Sequence, residues 1–254
     1  MTSHHLITIL GPTASGKTRL AAQVALQLGG EVISADSRQV YRQMNIGTGK
    51  DLNEYIVDNQ LIPYHLIDIV AAGGDYNLYQ YQRDFERVYT QIQQQNAIPI
   101  LCGGSGLYIQ AILQDFKLGK QSETKSRELG DSSFTKNVFG LTLPLDLRRE
   151  RITTRLHQRL NEGMIDEVKE LMAGGVLAEK LIYYGLEYKF ITQYLIGDLD
   201  YDTMVERLNI AIHQFAKRQM TYFRKMEKDG VNITWLDATL PLDSLVKLVL
   251  KSIK

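Results

Sequence analysis

The sequence predicts an α/β fold in which a mostly parallel sheet is covered by helices on both faces. Two patterns carry that expectation. Short apolar runs of β type alternate with stretches of helical periodicity along most of the 254 residues. Residues 11–18, Gly-Pro-Thr-Ala-Ser-Gly-Lys-Thr, stand between the first apolar run and the first helical stretch, the setting of a phosphate-binding loop. The chain shows no internal repeat and no clean boundary, so a single domain over 1–254 is expected.

The first strand is read at 6–10. Beyond it, Gly11 and Gly16 allow the backbone to curl so that loop N–H groups point at phosphate oxygens. The helix that follows, over 19–28, adds partial positive charge at its start. Lys17 adds a full charge, and Thr18 offers a hydroxyl to Mg2+. The loop implies a bound di- or triphosphate without saying what becomes of it.

A second strand at 31–35 delivers Asp36, in the run Ser34-Ala35-Asp36-Ser37-Arg38-Gln39-Val40-Tyr41. A carboxylate there can ligate Mg2+ through water, take a proton from an acceptor, or cap a turn. Ser37 and Gln39 add groups able to read a base or sugar edge. A third strand is expected at 65–70, and His65 in it reads as structural. No second His stands at ligand spacing, so no zinc site is expected.

A helix at 80–95 leads to a strand at 98–102. Past it, Gly103-Gly104-Ser105-Gly106-Leu107-Tyr108 lets a backbone or a ligand come close. Ligands on such sheets bind at the carboxyl ends of strands. Residues 11–18, 36–42 and 103–108 are therefore the candidate site segments.

Residues 114–136 are polar with few anchors, and an exposed loop is expected there. A strand at 138–143 precedes a helix over 146–172, apolar at Ile152, Leu156, Leu160, Ile165, Val168 and Met172 and broken at Gly163. The last long helix, 203–228, carries a stripe of Met204, Leu208, Ala211, Phe215, Tyr222 and Met226. Arg207, Gln214, Arg218, Thr221 and Lys225 fall beside it. Arg218 borders the stripe and can turn inward to clamp an oxyanion, or stay with Lys217 on a solvated basic face. A strand at 233–236 follows.

Composition narrows the partners. A formal net charge of +0 gives no global attraction to nucleic acid or membrane, so any basic surface is local. The lone cysteine, Cys102, excludes a disulfide framework and fits a reducing compartment. The first strand begins within a few residues, which leaves no room for a signal peptide, and no apolar run has membrane-spanning length. A cytoplasmic protein without membrane attachment is expected. Asn-Lys-x-Asp and Asp-x-x-Gly motifs do not occur in a switch arrangement, so a GTPase switch is not expected.

Taken together the segments resemble the isopentenyltransferase family, in its tRNA-acting branch. The resemblance rests on 11–18, on Ser-Ala-Asp-Ser-Arg-Gln-Val-Tyr-Arg at 34–42 and on Asn-Ile-Gly-Thr-Gly-Lys at 45–50. It rests also on Pro-Tyr-His-Leu-Ile-Asp at 63–68, Gly-Gly-Ser-Gly-Leu-Tyr at 103–108 and Ala-Lys-Arg-Gln at 216–219. Residues 151–171 are similar to the family helix with its Arg-x-x-x-Arg and Glu-Gly pattern.

The resemblance implies a P-loop NTPase-like fold with a reduced helical appendage. It implies transfer of a dimethylallyl group from dimethylallyl diphosphate to N6 of an adenine, in tRNA the one 3′ to the anticodon. Asp36 is then the general base, with Thr18 and Arg218 as catalytic partners. Gly11, Pro12, Thr13, Ala14, Ser15, Gly16, Lys17 and Thr18, joined by Arg218, hold the diphosphate. Asp36, Ser37, Arg38, Gln39 and Ser105 meet the acceptor nucleotide. Mg2+, held by Thr18 and through water by Asp36, neutralises the leaving diphosphate. The acceptor base must be unstacked to enter the protein.

Three departures are visible. The family's Gly-Thr-Ala-Lys-Pro is Gly-Thr-Gly-Lys-Asp at 47–51, and its Gly-Gly-Thr is Gly-Gly-Ser. Between Leu113 and Arg148, where the tRNA enzymes carry a helical insertion that grips the anticodon stem, the chain is short and polar. The expected acceptor is still a tRNA anticodon stem-loop, gripped by a smaller basic surface drawn from Arg148, Arg149, Arg151, Arg207, Lys217, Arg224, Lys225 and Lys228. Free AMP, ADP or ATP is the alternative acceptor, which the short segment favours. A small-molecule kinase using ATP and a noncatalytic nucleotide- or RNA-binding module are the remaining readings. The protein is expected to be a monomer.

Overall fold

The computed structural model of the chain describes residues 5–114 and 135–253. The polar segment read at 114–136 therefore lies almost wholly outside the described residues. In chain order the elements are β1 (His5–Leu10), α1 (Lys17–Leu28), β2 (Gly30–Ala35), a 3₁₀ turn (Leu52–Tyr55), β3 (Ile56–Val57), β4 (Gln60–Leu61), β5 (Tyr64–His65), α2 (Leu78–Gln94) and β6 (Ile98–Gly103). They continue with α3 (Gly106–Leu113), β7 (Thr135–Thr142), α4 (Leu145–Asn161), α5 (Met164–Ala173), α6 (Ala178–Tyr184), α7 (Leu186–Leu195), α8 (Tyr201–Lys228), β8 (Ile233–Asp237) and α9 (Leu242–Ser252).

Six strands form one sheet in the order β5-β2-β6-β1-β7-β8, and every neighbouring pair is parallel. The period of two along each strand sends alternate side chains to opposite faces. From β1, Leu6 and Leu10 join Ile33, Leu101, Tyr81, Phe85 and Phe223 under α2 and α8. Ile7 and Ile9 join Ile100, Leu20, Val24, Leu245 and Val249 under α1 and α9. Burial on both faces is why β1 reads as an unbroken apolar run. A third cluster, with Ile152, Leu156, Val168, Tyr188, Ile191, Met204 and Leu208, binds α4, α5, α7 and α8 to Val40 and Met44 beyond the end of β2. A helical layer thus covers the carboxyl end of the sheet, the end where ligands bind in such folds.

Three expectations change. The strand read at 65–70 stops at His65, because Leu66 and Asp68 take left-handed φ values of 61° and 57°. Only an isolated parallel bridge between Tyr41 and Val70 remains of it. Asp68 instead receives the buried Lys50 ammonium, which also donates to the Tyr41 carbonyl. β7 starts at Thr135, ahead of the expected 138, so the end of the polar segment is strand. The break expected at Gly163 is present, with α4 and α5 parted where Gly163 turns to φ 97°. On α8 the core stripe runs through Met204, Leu208, Ile212, Ala216, Met220, Phe223 and Met226. Ala211, Phe215 and Tyr222 sit on the flank of that stripe and face a cavity. Among the described residues no helix is long and apolar enough to cross a membrane.

Candidate active site at the carboxyl end of the sheet

The phosphate loop joins β1 to α1, with Gly16 at φ 81° as the residue before the helix. Ala14 also takes a left-handed φ of 61°, unusual for a residue with a Cβ and a sign of a loop held by its surroundings. Gly11 serves by smallness: a Cβ there would lie 2.7 Å from the Ser15 hydroxyl. Thr13–Thr18 line a cavity that Asp36, Glu54, Cys102 and two arginines of α4, Arg155 and Arg159, also line. The Ser15 hydroxyl is buried and has no hydrogen-bond partner among the described residues.

Burial dominates the electrostatics here. It drives the Lys17 ammonium down from its usual value, opposed by Cys102 and Asp36. It pushes the Cys102 thiol up to about 12. It also raises the Glu54 carboxyl, against the pull of Lys17, Arg19 and a hydrogen bond from the Thr18 hydroxyl. Burial and then the Arg159 charge bring Arg155 down to about 10, so it stays a cation at neutral pH. Asp51 pairs with both arginines from the surface side. The arginines and Glu54 were not singled out from the sequence. The Arg-x-x-x-Arg spacing of 151–159 was the available signal, since it sets charges on one helix face.

Asp36 follows β2. Its Oδ1 accepts the Arg38 N–H at 3.0 Å, so the turn-capping role is real. The Ser37 N–H donates to Ser105 Oγ at 2.9 Å, and the Ser105 hydroxyl donates to Ser37 Oγ at 3.2 Å. Arg38 pairs with Glu187 of α7 and lies 5.6 Å from the Phe215 ring centre. Burial opposes the Arg38 charge, but Glu187 and Asp36 outweigh it and hold the guanidinium up. Gln39 donates to the Gly49 carbonyl at 3.1 Å and accepts from the Ser34 hydroxyl at 3.4 Å. The structure thus engages Gln39, Ser37 and Ser105 with protein partners.

The glycines of 103–106 admit protein. A Cβ on Gly103 would strike the Ala35 carbonyl, one on Gly104 the Gln219 amide, and one on Gly106 the Tyr222 ring. Of the two neighbours that the sequence left open, backbone or ligand, the geometry here supplies β2 and side chains of α8. Beside this turn opens a second, wider cavity, with Phe190, Phe215 and Tyr222 among its aromatic walls and Asp36, Ser37 and Ser105 among its polar groups. Asp36, Arg38, Phe215 and Gln219 border both cavities. Arg218 is exposed and lines the second cavity but not the first. Gly11 and Pro12 do not line the loop cavity, and Lys17 Nζ donates to the Pro12 carbonyl at 3.4 Å.

The basic residues divide. Burial, and then the charges of Arg149 and Arg224, lower Arg148 at the start of α4, which packs against α8. Arg151 lines a groove outside the phosphate loop with Arg155 and Arg159.

Comparison with known proteins gives one answer. A family model described as IPP transferase matches residues 39–133 and 119–226. The chain is 46% identical to tRNA dimethylallyltransferase 1 of Parabacteroides distasonis, over 99% of this chain and 98% of the relative. It is 47% identical to tRNA dimethylallyltransferase 1 of Porphyromonas gingivalis, over 97% and 98%. Its fold matches the crystal structure of the tRNA isopentenylpyrophosphate transferase of Bacillus halodurans with a TM-score of 0.84, at 28% identity, covering 98% of this chain and 95% of that one. The P. distasonis alignment runs over 301 residues against 254 here, so the relative has sequence that this chain lacks. The two family-model segments overlap at 119–133, inside the short polar segment.

Proposed function

The chain belongs to the IPP transferase family, and from that premise we propose that it moves a dimethylallyl group from dimethylallyl diphosphate to N6 of the adenosine 3′ to a tRNA anticodon. The enzyme class is prenyltransferase and the acceptor is a tRNA adenine, as in its relatives. One observation carries the finer reading: Asp36 stands between the phosphate-loop cavity and the wider aromatic cavity. A donor diphosphate in the first and an unstacked adenine in the second place the reacting atoms on either side of that carboxylate.

The chemistry follows from the placement. The C1–O bond of the donor breaks, and the diphosphate leaves with the electron pair. N6 forms the new bond to C1 and loses a proton to Asp36. An exocyclic amine is a weak nucleophile, so orientation between the aromatic walls matters as much as proton removal. Lys17 and the loop N–H groups stabilise the charge that grows on the leaving oxygens. Arg155 and Arg159, as partly buried cations lining the same cavity, add to that stabilisation. The orphaned Ser15 hydroxyl and the Thr18 hydroxyl suit a polar occupant and fit a Mg2+–diphosphate. Thr18 would hold the Mg2+, which when bound neutralises charge on the departing diphosphate.

The tRNA grip is expected on the arginines that α4 and α8 bring together, Arg148, Arg149 and Arg224. Nucleoside mass analysis after incubation with dimethylallyl diphosphate and bulk tRNA tests the reading. A dimethylallyl-adenosine in the digest supports it, and an unmodified digest from an enzyme that binds the donor opposes it.

A further inference from the structure

We propose that Glu54, rather than Asp36, supplies the carboxylate that joins the Thr18 hydroxyl in holding the divalent cation at the phosphate loop. The inference rests on the prenyl-transfer reading only in placing a diphosphate on that loop. Glu54 comes from the 3₁₀ turn Leu52–Tyr55, which the buried Tyr55 anchors beneath α1. Glu54 is half-buried and lines the loop cavity together with Thr18.

The ion pairs of the site point the same way. Glu187 is matched by Arg38, Asp51 by Arg155 and Arg159, and Asp68 by Lys50. Among the described residues neither Glu54 nor Asp36 has a cationic nitrogen within 4.0 Å. Two carboxylates are thus left for two tasks. Asp36 borders the wide acceptor cavity and has one oxygen on the Arg38 N–H. Glu54 borders the loop cavity and the outer groove but not the acceptor cavity. A carboxylate bound to a cation loses proton affinity, so a metal ligand makes a poor base.

Mg2+ sites of this kind use one or two carboxylates, the substrate phosphates and several waters. Thr18 and Glu54 on one side of the loop meet that need, and the buried, partnerless Ser15 hydroxyl is a further polar atom in the same cavity.

Titration with Mn2+, read by electron paramagnetic resonance of the free ion in the presence of inorganic diphosphate and no acceptor, tests the assignment. Glu54→Gln should weaken Mn2+ binding by roughly tenfold or more. It should bind metal-free diphosphate at least as well as the parent, since a negative charge is removed. Asp36→Asn should keep its Mn2+ affinity within about twofold. Parental Mn2+ affinity in Glu54→Gln, or the loss appearing in Asp36→Asn, would overturn the proposal. If Glu54→Gln also loses metal-free diphosphate, Glu54→Asp decides: weakened Mn2+ with diphosphate retained supports the assignment, and unchanged Mn2+ opposes it. Neither prenyl donor nor tRNA is present, so a failed transfer reaction and a failed metal assignment give separate results.

Discussion

Gln219 of α8 holds the backbone of Thr13: its Oε1 accepts the Thr13 N–H at 2.9 Å while its Nε2 donates to the Gly104 carbonyl at 3.0 Å. One buried amide therefore ties the loop after β1 and the turn after β6 to the long helix. The phosphate loop and the turn after β6 keep their spacing through this side chain.

Gln219→Leu should leave the Thr13 N–H and the Gly104 carbonyl unmet. A buried polar group without a partner costs about 1–3 kcal/mol. Urea unfolding should show a loss of that size, and the KM for the prenyl donor should rise. A variant with parental stability and donor KM would mean that water replaces the amide without consequence.

Asp36→Asn separates the base from the turn cap. Asparagine keeps an oxygen for the Arg38 N–H, so the turn should survive. Turnover should fall by roughly 10²–10⁴ with donor affinity little changed. Single-turnover rates against donor binding measure both, and near-parental turnover would leave only the turn-capping role.

Glu167 of α5 accepts the N–H groups of Asn45, Ile46 and Gly47 at 2.7, 2.7 and 3.0 Å, together with the Tyr188 hydroxyl at 2.7 Å. Charge-assisted bonds of this kind are worth about 1.5–3 kcal/mol each. Glu167→Ala should therefore lower unfolding free energy by more than about 2 kcal/mol and loosen 45–50. Hydrogen exchange at the three amides reads the loosening; parental protection would contradict it.

Cys102 gives a pH test. Burial favours the neutral thiol and pushes its pKa up to about 12. The thiolate is the reactive form, so iodoacetamide at pH 8.5 should label the unfolded chain and spare the folded one. Rapid labelling of the folded protein would show that the loop cavity opens to solvent far more than its geometry suggests.

Much of this was legible in residues alone. The strand–loop–helix around Lys17 and the strand ending at Asp36 were readable because glycine spacing and apolar runs are local signals. The 65–70 run misled, since Leu66 and Asp68 adopt left-handed backbone for tertiary reasons: Asp68 turns to meet Lys50. On α8 the stripe was read one flank over, because Phe215 and Tyr222 are as apolar as core residues yet line a cavity. Glu54 carried no motif, and the Arg-x-x-x-Arg spacing that includes Arg155 and Arg159 did not say where they point; only folding brings the 3₁₀ turn and α4 against the loop.

The most direct test of the account is a head-to-head transfer assay with an anticodon stem-loop carrying adenosine 3′ to the anticodon and with AMP, from low to moderate salt. A grip built from a few arginines makes few phosphate contacts, and its affinity falls as salt rises. Dimethylallyl-adenosine is expected on the stem-loop at low salt, declining steeply with added salt, with little product on AMP. Efficient prenylation of AMP with none on the stem-loop, even at the lowest salt, would contradict it.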